Sequence, residues 1–153
     1  MRVTVRRAVA EDSPALARLR WQHSEERGHQ DLERVAFLDH FTSWTLDHLG
    51  THLAFLAEVD GRLVGMAWLM LADRVPSPRR PDRRTGDVQS VYVVPELRNA
   101  GVGQALLDAV LAEARNRELE HVTVHSSDRA VPFYLRRGFR DAPTWLDWVP
   151  EAR

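Results

Sequence analysis

The chain has 153 residues, 44% hydrophobic and 28% charged, with 21 Lys plus Arg against 22 Asp plus Glu and a formal net charge of −1. That size and balance describe one ordinary globular domain over residues 1–153 and give no general attraction to nucleic acid. Cysteine is absent, which excludes disulfides, zinc–thiolate sites and a cysteine nucleophile, and no Lys occurs, which excludes a P-loop lysine and a lysine Schiff base.

The first residues, Met1 to Arg7, lack the apolar run of a signal peptide, and no segment approaches the ~20 apolar residues of a membrane span. A cytoplasmic protein with no membrane association is expected. Val3, Val5 and Val9 mark a first strand. Asp12 and Ser13 offer helix caps with Pro14 in the first turn, opening a helix to roughly His23. A second helix fits Leu32 to Leu49, where Phe37, Leu38, Phe41, Trp44, Thr45 and His48 recur at helical spacing. Leu53–Val59 and Arg62–Leu71 read as strands joined at Asp60-Gly61, a strong hairpin signal. The second of these does not alternate, so both its faces are expected to be covered.

Residues 74–84 contain three prolines and five arginines, a pattern that holds neither strand nor helix. Those arginines could guide an anionic ligand, although ordinary loop behaviour favours a solvated, mobile connection. A strand at Val88–Val94 follows, then a helix from Gly101 to about Arg117 and a strand at His121–His125. A short helix spans roughly Arg129–Arg137, and Trp145–Val149 alternates like a final strand. The order β-α-α-β-β-β-α-β-α-β describes a mixed α/β domain with a mainly antiparallel start.

The most informative stretch is Val91-Tyr92-Val93-Val94-Pro95-Glu96-Leu97-Arg98-Asn99-Ala100-Gly101-Val102-Gly103. A β-type run stops at a proline and an Arg-x-x-Gly-x-Gly turn opens directly onto an amphipathic helix. The first four amides of that helix lack internal partners. With the helix dipole they suit a phosphate or pyrophosphate, and Arg98 could fork onto its oxygens. A dinucleotide fingerprint would need a third glycine where Leu106 stands, and a different preceding order.

This stretch resembles the acetyl-coenzyme A motif of the GCN5-related N-acetyltransferase (GNAT) superfamily, Arg/Gln-x-x-Gly-x-Gly/Ala after a strand. A second block, Ser127-Asp128-Arg129-Ala130-Val131-Pro132-Phe133-Tyr134-Leu135-Arg136-Arg137-Gly138-Phe139, is similar to that family's Asn-x-x-Ala-x-x-Phe-Tyr-x-x-x-Gly-Phe. The blocks stand in the family's order, and the element order agrees over nearly the whole chain. The resemblance implies a GNAT-like fold whose fourth and fifth strands splay apart. It implies pyrophosphate binding by the backbone of Arg98, Asn99, Ala100, Gly101, Val102, Gly103 and Gln104. It also implies pantetheine pairing along Val91, Tyr92 and Val93, a form of β-augmentation. Ser127 replaces the family's frequent Asn, so a shortened contact to the cofactor is expected.

Tyr134 occupies the position of the family's tyrosine acid, which protonates the departing thiolate. A phenol of pKa about 10 suits that task at neutral pH. Attack needs a neutral amine, for which Asp87 and His125 are candidate bases; a site with no dedicated base is the alternative. Gln89 cannot serve as one. The resemblance implies that acceptor recognition falls to the variable parts, where Trp21, His23, Phe37, His40, Phe41, Trp44, Trp145 and Trp148 are candidate walls. Aromatic stripes at helical spacing normally pack inward, so most of these belong to the core. Asp39, Asp47 and Asp147 are carboxylates that could meet a cationic amine.

The implied activity is acetyl transfer from acetyl-CoA to a primary amine of a small molecule or peptide, by direct attack in a ternary complex and without a metal. The rival readings are a non-catalytic acyl-CoA-binding sensor and, more remotely, a nucleic-acid module built on the arginine loop. The family commonly forms homodimers, but no interface is visible in the sequence.

Overall fold

The computed structural model describes residues 1–28 and 30–151. Strands β1 (Val3–Arg7), β2 (His52–Val59), β3 (Arg62–Asp73), β4 (Arg84–Val93) and β5 (Val122–Val124) form one sheet in sequence order. The first three junctions are antiparallel and β4–β5 is parallel. Helices are α1 (Ser13–Arg27), α2 (Arg34–His48), α3 (Val102–Asn116) and α4 (Val131–Arg136). None among the described residues is long and apolar enough to cross a membrane.

Local chemistry explains the joints. Asp12 precedes α1 but makes no side-chain cap; its carboxylate accepts from the Val9 amide at 2.8 Å and from Arg6 at 2.7 and 2.8 Å, pinning the exit of β1. Helix α1 runs a full turn beyond His23 and stops at Gly28, whose φ of 69° reverses the backbone. Helix α2 is capped by Glu33, which accepts from the Val35 and Ala36 amides at 3.0 and 3.2 Å. Asp60 and Gly61 both adopt positive φ, 50° and 76°, as the β2–β3 hairpin requires.

β3 is buried continuously from Val64 to Leu69, as its non-alternating sequence predicts. Helix α3 lies over one face of the sheet, burying Val102, Leu106, Leu107, Val110 and Ala114. It sits so close at Gly65 that a Cβ there would stand 2.8 Å from the Tyr92 carbonyl oxygen and 3.1 Å from Leu106. On the other face, Phe41 and Trp44 of α2 pack their rings 5.8 and 6.1 Å from that of Trp68.

Three expectations are corrected. Trp145–Val149 forms no strand: the Trp145 ring rests 4.6 Å from His121, while Leu146 and Trp148 are 91% and 83% exposed. Alternation supplies a face but not a partner, and the segment pairs with no strand here. β5 pairs at only three residues, leaving His121 and His125 outside it. The 74–84 loop is tied down, not free. Arg83 donates to Glu120 at 2.8 and 3.1 Å and to the Val75 carbonyl at 3.1 Å, Arg80 donates to the Glu118 carbonyl at 3.3 Å, and Arg84 already belongs to β4.

Candidate active site

β4 is the strand on which the site is built. It pairs with β3 as far as Val93 but with β5 only through Val88. From Gln89 to Val93 its β5-side edge therefore lies open, and the splay expected from sequence is present. A bulge marks the parting point, where Ser90 adopts a φ of 50° and the register shifts between the Met66 and Trp68 pairs.

Beyond Val94, a 3-10 turn at Pro95–Leu97 leads to two left-handed residues, Asn99 at φ 61° and Gly101 at φ 88°. Helix α3 then starts, and its first internal bond is from the Ala105 amide to the Gly101 carbonyl at 3.0 Å. The amides of Val102, Gly103 and Gln104 precede that bond and converge at the positive end of the helix dipole. Gly101 is required by its φ. Gly103 is different: a Cβ there would meet Phe133 and Val93 at an ordinary 3.7–3.8 Å. The fold leaves room for a side chain that the sequence withholds.

Arg98 has another occupation than the one its motif suggests. Its Nη2 donates to Glu26 at 2.6 Å and its Nε to the Val93 carbonyl at 3.0 Å, with the guanidinium 5.7 Å from the centre of the Tyr92 ring. The Tyr92 hydroxyl donates to the other oxygen of Glu26, and the His23 ring stacks on Tyr92 at 5.1 Å. Burial pulls the Glu26 carboxyl upward, but hydrogen bonds from Tyr92 and Arg98 outweigh it and hold the group below its usual range. Burial, then Glu26, raises the Tyr92 phenol, while burial with Arg20 and Arg27 nearby lowers His23 to about 4. Reasoning from sequence missed Glu26 because the predicted helix stopped short of it.

Asp87, on the α2 face of β4, is held from two sides. Thr123 Oγ1 donates to Oδ1 at 2.6 Å and Gln89 Nε2 to Oδ2 at 3.1 Å. His125 is exposed beyond the end of β5. Ser127 is also exposed, and its side chain does not cap the 3-10 turn that follows. Tyr134 is buried on α4, edge-on to Phe133 and Phe139 at 5.1 and 5.4 Å, and burial raises its phenol.

Two cavities flank this region. The larger, about 880 Å³, lies between α3, β5, α4 and the tail; of the predicted site residues Tyr134 and the candidate wall Trp145 line it. A pocket of about 80 Å³ sits at the bulge, walled by Phe41, Trp44, His52, Trp68, Gln89 and Ser90. Trp148, His40, Asp39, Asp47 and Asp147 are exposed and belong to neither. Among the described residues, no group of three His, Asp or Glu side chains is arranged to hold a metal ion.

Residues 14–139 match the profile of the Acetyltransferase (GNAT) family. The chain belongs to the GNAT acetyltransferase family. A glucosamine 6-phosphate N-acetyltransferase from Trypanosoma brucei brucei is 36% identical over 86 residues, 56% of each chain, so this chain spans just over half of that relative's length. Among solved structures, a predicted acetyltransferase from Clostridium acetobutylicum, crystallised with acetyl-CoA, superposes with a TM-score of 0.80 at 21% identity, covering 97% of this chain and 96% of that one. At that identity the likeness shows the fold alone. A GCN5-related N-acetyltransferase from Ralstonia eutropha JMP134 gives a TM-score of 0.77 at 26% identity over 97% and 99% of the two chains.

Proposed function

We propose that this GNAT protein transfers the acetyl group of acetyl-CoA to a primary amine by direct attack in a ternary complex. One observation carries the reading: the open edge of β4 from Gln89 to Val93 runs straight into the unbonded amides of Val102, Gly103 and Gln104. An extended amide-bearing arm ending in a pyrophosphate is complementary to that pair of surfaces. Coenzyme A has that shape, and the bare face of Gly103 suits its approach.

Acetyl-CoA supplies the acetyl group as an activated thioester. Val91–Val93 would hold the arm by backbone bonds, and the Asn99–Gln104 backbone would hold the pyrophosphate. Arg98, tied to Glu26 and Val93, braces the turn. Ser127, with its hydroxyl free of any cap, is the proposed remaining contact. Tyr134 keeps its proton at neutral pH and would give it to the departing thiolate as the carbon–sulfur bond breaks. Asp87 is favoured over the exposed His125 as the base, because two hydrogen bonds fix its carboxylate on the α2 face. It would take one proton from the ammonium before attack; the second leaves the nitrogen after attack and restores Tyr134.

A homodimer is also proposed, with the tail of one copy laid on the outer edge of the partner's β5. That edge has no strand beside it among the described residues. Arg115, Arg137 and Arg140 line the cavity next to it, opposite in charge to Asp147 and Glu151 of the apolar tail.

The test is thiol release from acetyl-CoA with a panel of primary amines, together with coenzyme A binding by calorimetry. Turnover that falls on Tyr134→Phe supports the transferase. Tight binding with no turnover on any amine, unaffected by Tyr134→Phe, supports the acyl-CoA sensor instead.

A further inference from the structure

The pocket at the β4 bulge lies where β4 and β5 part, which is where a thioester lying in the open slot would end. Trp68 is paired across from Gln89 and Met70 across from Asp87, so the aromatic wall and the Asp87 carboxylate share one face of the sheet. Its walls are Phe41, Trp44 and Trp68 with His52, Gln89 and Ser90. Trp44 is itself fixed, stacked on His48 at 4.1 Å and met edge-on by His52 at 4.9 Å. Burial, and then His48, lowers the basicity of His52, which favours its neutral form. The nearest formal charge along the strand is negative: Asp87, bonded to Gln89 of the wall.

From this geometry we infer that the acceptor of the proposed transferase is a primary amine on an unbranched alkyl or arylalkyl arm, bearing no phosphate or carboxylate near the amine. An ammonium group is attracted to tryptophan and phenylalanine faces and to Asp87. Among the described residues that line the pocket none is an arginine to meet an anionic group, although the chain has 21 of them. A space of about 80 Å³ is roughly half the ~150 Å³ cavity that holds one benzene ring. It takes a short amino-alkyl end and leaves a sugar ring outside. The acceptor named in the Trypanosoma relative, glucosamine 6-phosphate, has neither the charge nor the shape for it.

This inference rests on the transferase reading, but binding and turnover test the two separately. Phenethylamine and glucosamine 6-phosphate are titrated calorimetrically into the 153-residue chain saturated with coenzyme A, and acetyl transfer to each is measured in parallel. Phenethylamine is expected to bind at least tenfold more tightly. Trp44→Leu and, independently, Phe41→Leu are each expected to weaken that binding about tenfold while coenzyme A affinity stays unchanged. Equal or tighter binding of glucosamine 6-phosphate overturns the inference, as does unchanged phenethylamine affinity in whichever variant folds. Binding as expected with no acetyl transfer upholds the pocket and rejects the transferase reading.

Discussion

Gly103→Ala is expected to raise stability, and Gly103→Leu to lower cofactor affinity. The added methyl group would meet Phe133 and Val93 at 3.7–3.8 Å, so nothing in the protein has to shift. Alanine in a helix is better than glycine by roughly 0.5–1 kcal/mol, which for a chain of this size raises Tm by about 1–4 °C. The motif that this turn resembles admits Ala at position 103, but the longer side chain of Gly103→Leu would stand where the backbone must approach a pyrophosphate. Loss of one charge-assisted hydrogen bond costs about 1.5–3 kcal/mol, hence roughly a 10- to 100-fold rise in the KM for acetyl-CoA. Thermal melts and steady-state thiol release measure the two effects. An unchanged KM in Gly103→Leu would refute the argument that this turn receives the phosphates.

Tyr134→Phe should lower kcat by about 100-fold or more, the usual contribution of a positioned acid, with little change in the KM for acetyl-CoA; steady-state kinetics at saturating amine reads both. A double-mutant cycle on Glu26→Ala and Arg98→Ala, read by urea denaturation, should give a coupling of about 0.5–1 kcal/mol because the pair is part-exposed. The Arg98→Ala change should raise the KM for acetyl-CoA less than Gly103→Leu does, since its guanidinium is bonded to Glu26 and Val93. His23 is held neutral in the folded state down to about pH 4 but takes a proton below ~6.5 when unfolded. Its contribution to stability is therefore complete above pH ~6.5 and fades as pH falls toward 4, by on the order of 1–3 kcal/mol. His23→Phe should flatten that part of the Tm–pH curve. Truncation after Pro143 should convert the proposed dimer to a monomer in light scattering, and an unchanged mass would reject the tail exchange.

The legible parts of the fold were those whose signals are local. Asp60-Gly61 announces its hairpin because two consecutive residues must take positive φ, and the apolar run of β3 announces burial on both faces. The left-handed turn before α3 was legible for the same reason: strand, proline, glycines and amphipathic helix lie within a few consecutive residues. What depended on distant partners was not. Arg98 pairs with Glu26, which stands 72 positions earlier, and nothing in Arg-x-x-Gly-x-Gly reveals that. Asp87 was a visible candidate, yet the two bonds that orient it come from Gln89 and from Thr123 on a neighbouring strand. The tail was misread because alternation at Trp145–Val149 describes a strand that still requires an edge to join. The arginine loop looked free because Glu120, which holds Arg83, lies beyond α3.

The most direct test of the central claim is amide NMR during titration with coenzyme A. The account predicts that the largest shifts fall on the Asn99–Gln104 amides and along Val91–Val93. Shifts confined to Leu119, Val122, Leu135 and other residues around the 880 Å³ cavity, with the turn before α3 unmoved, would contradict it.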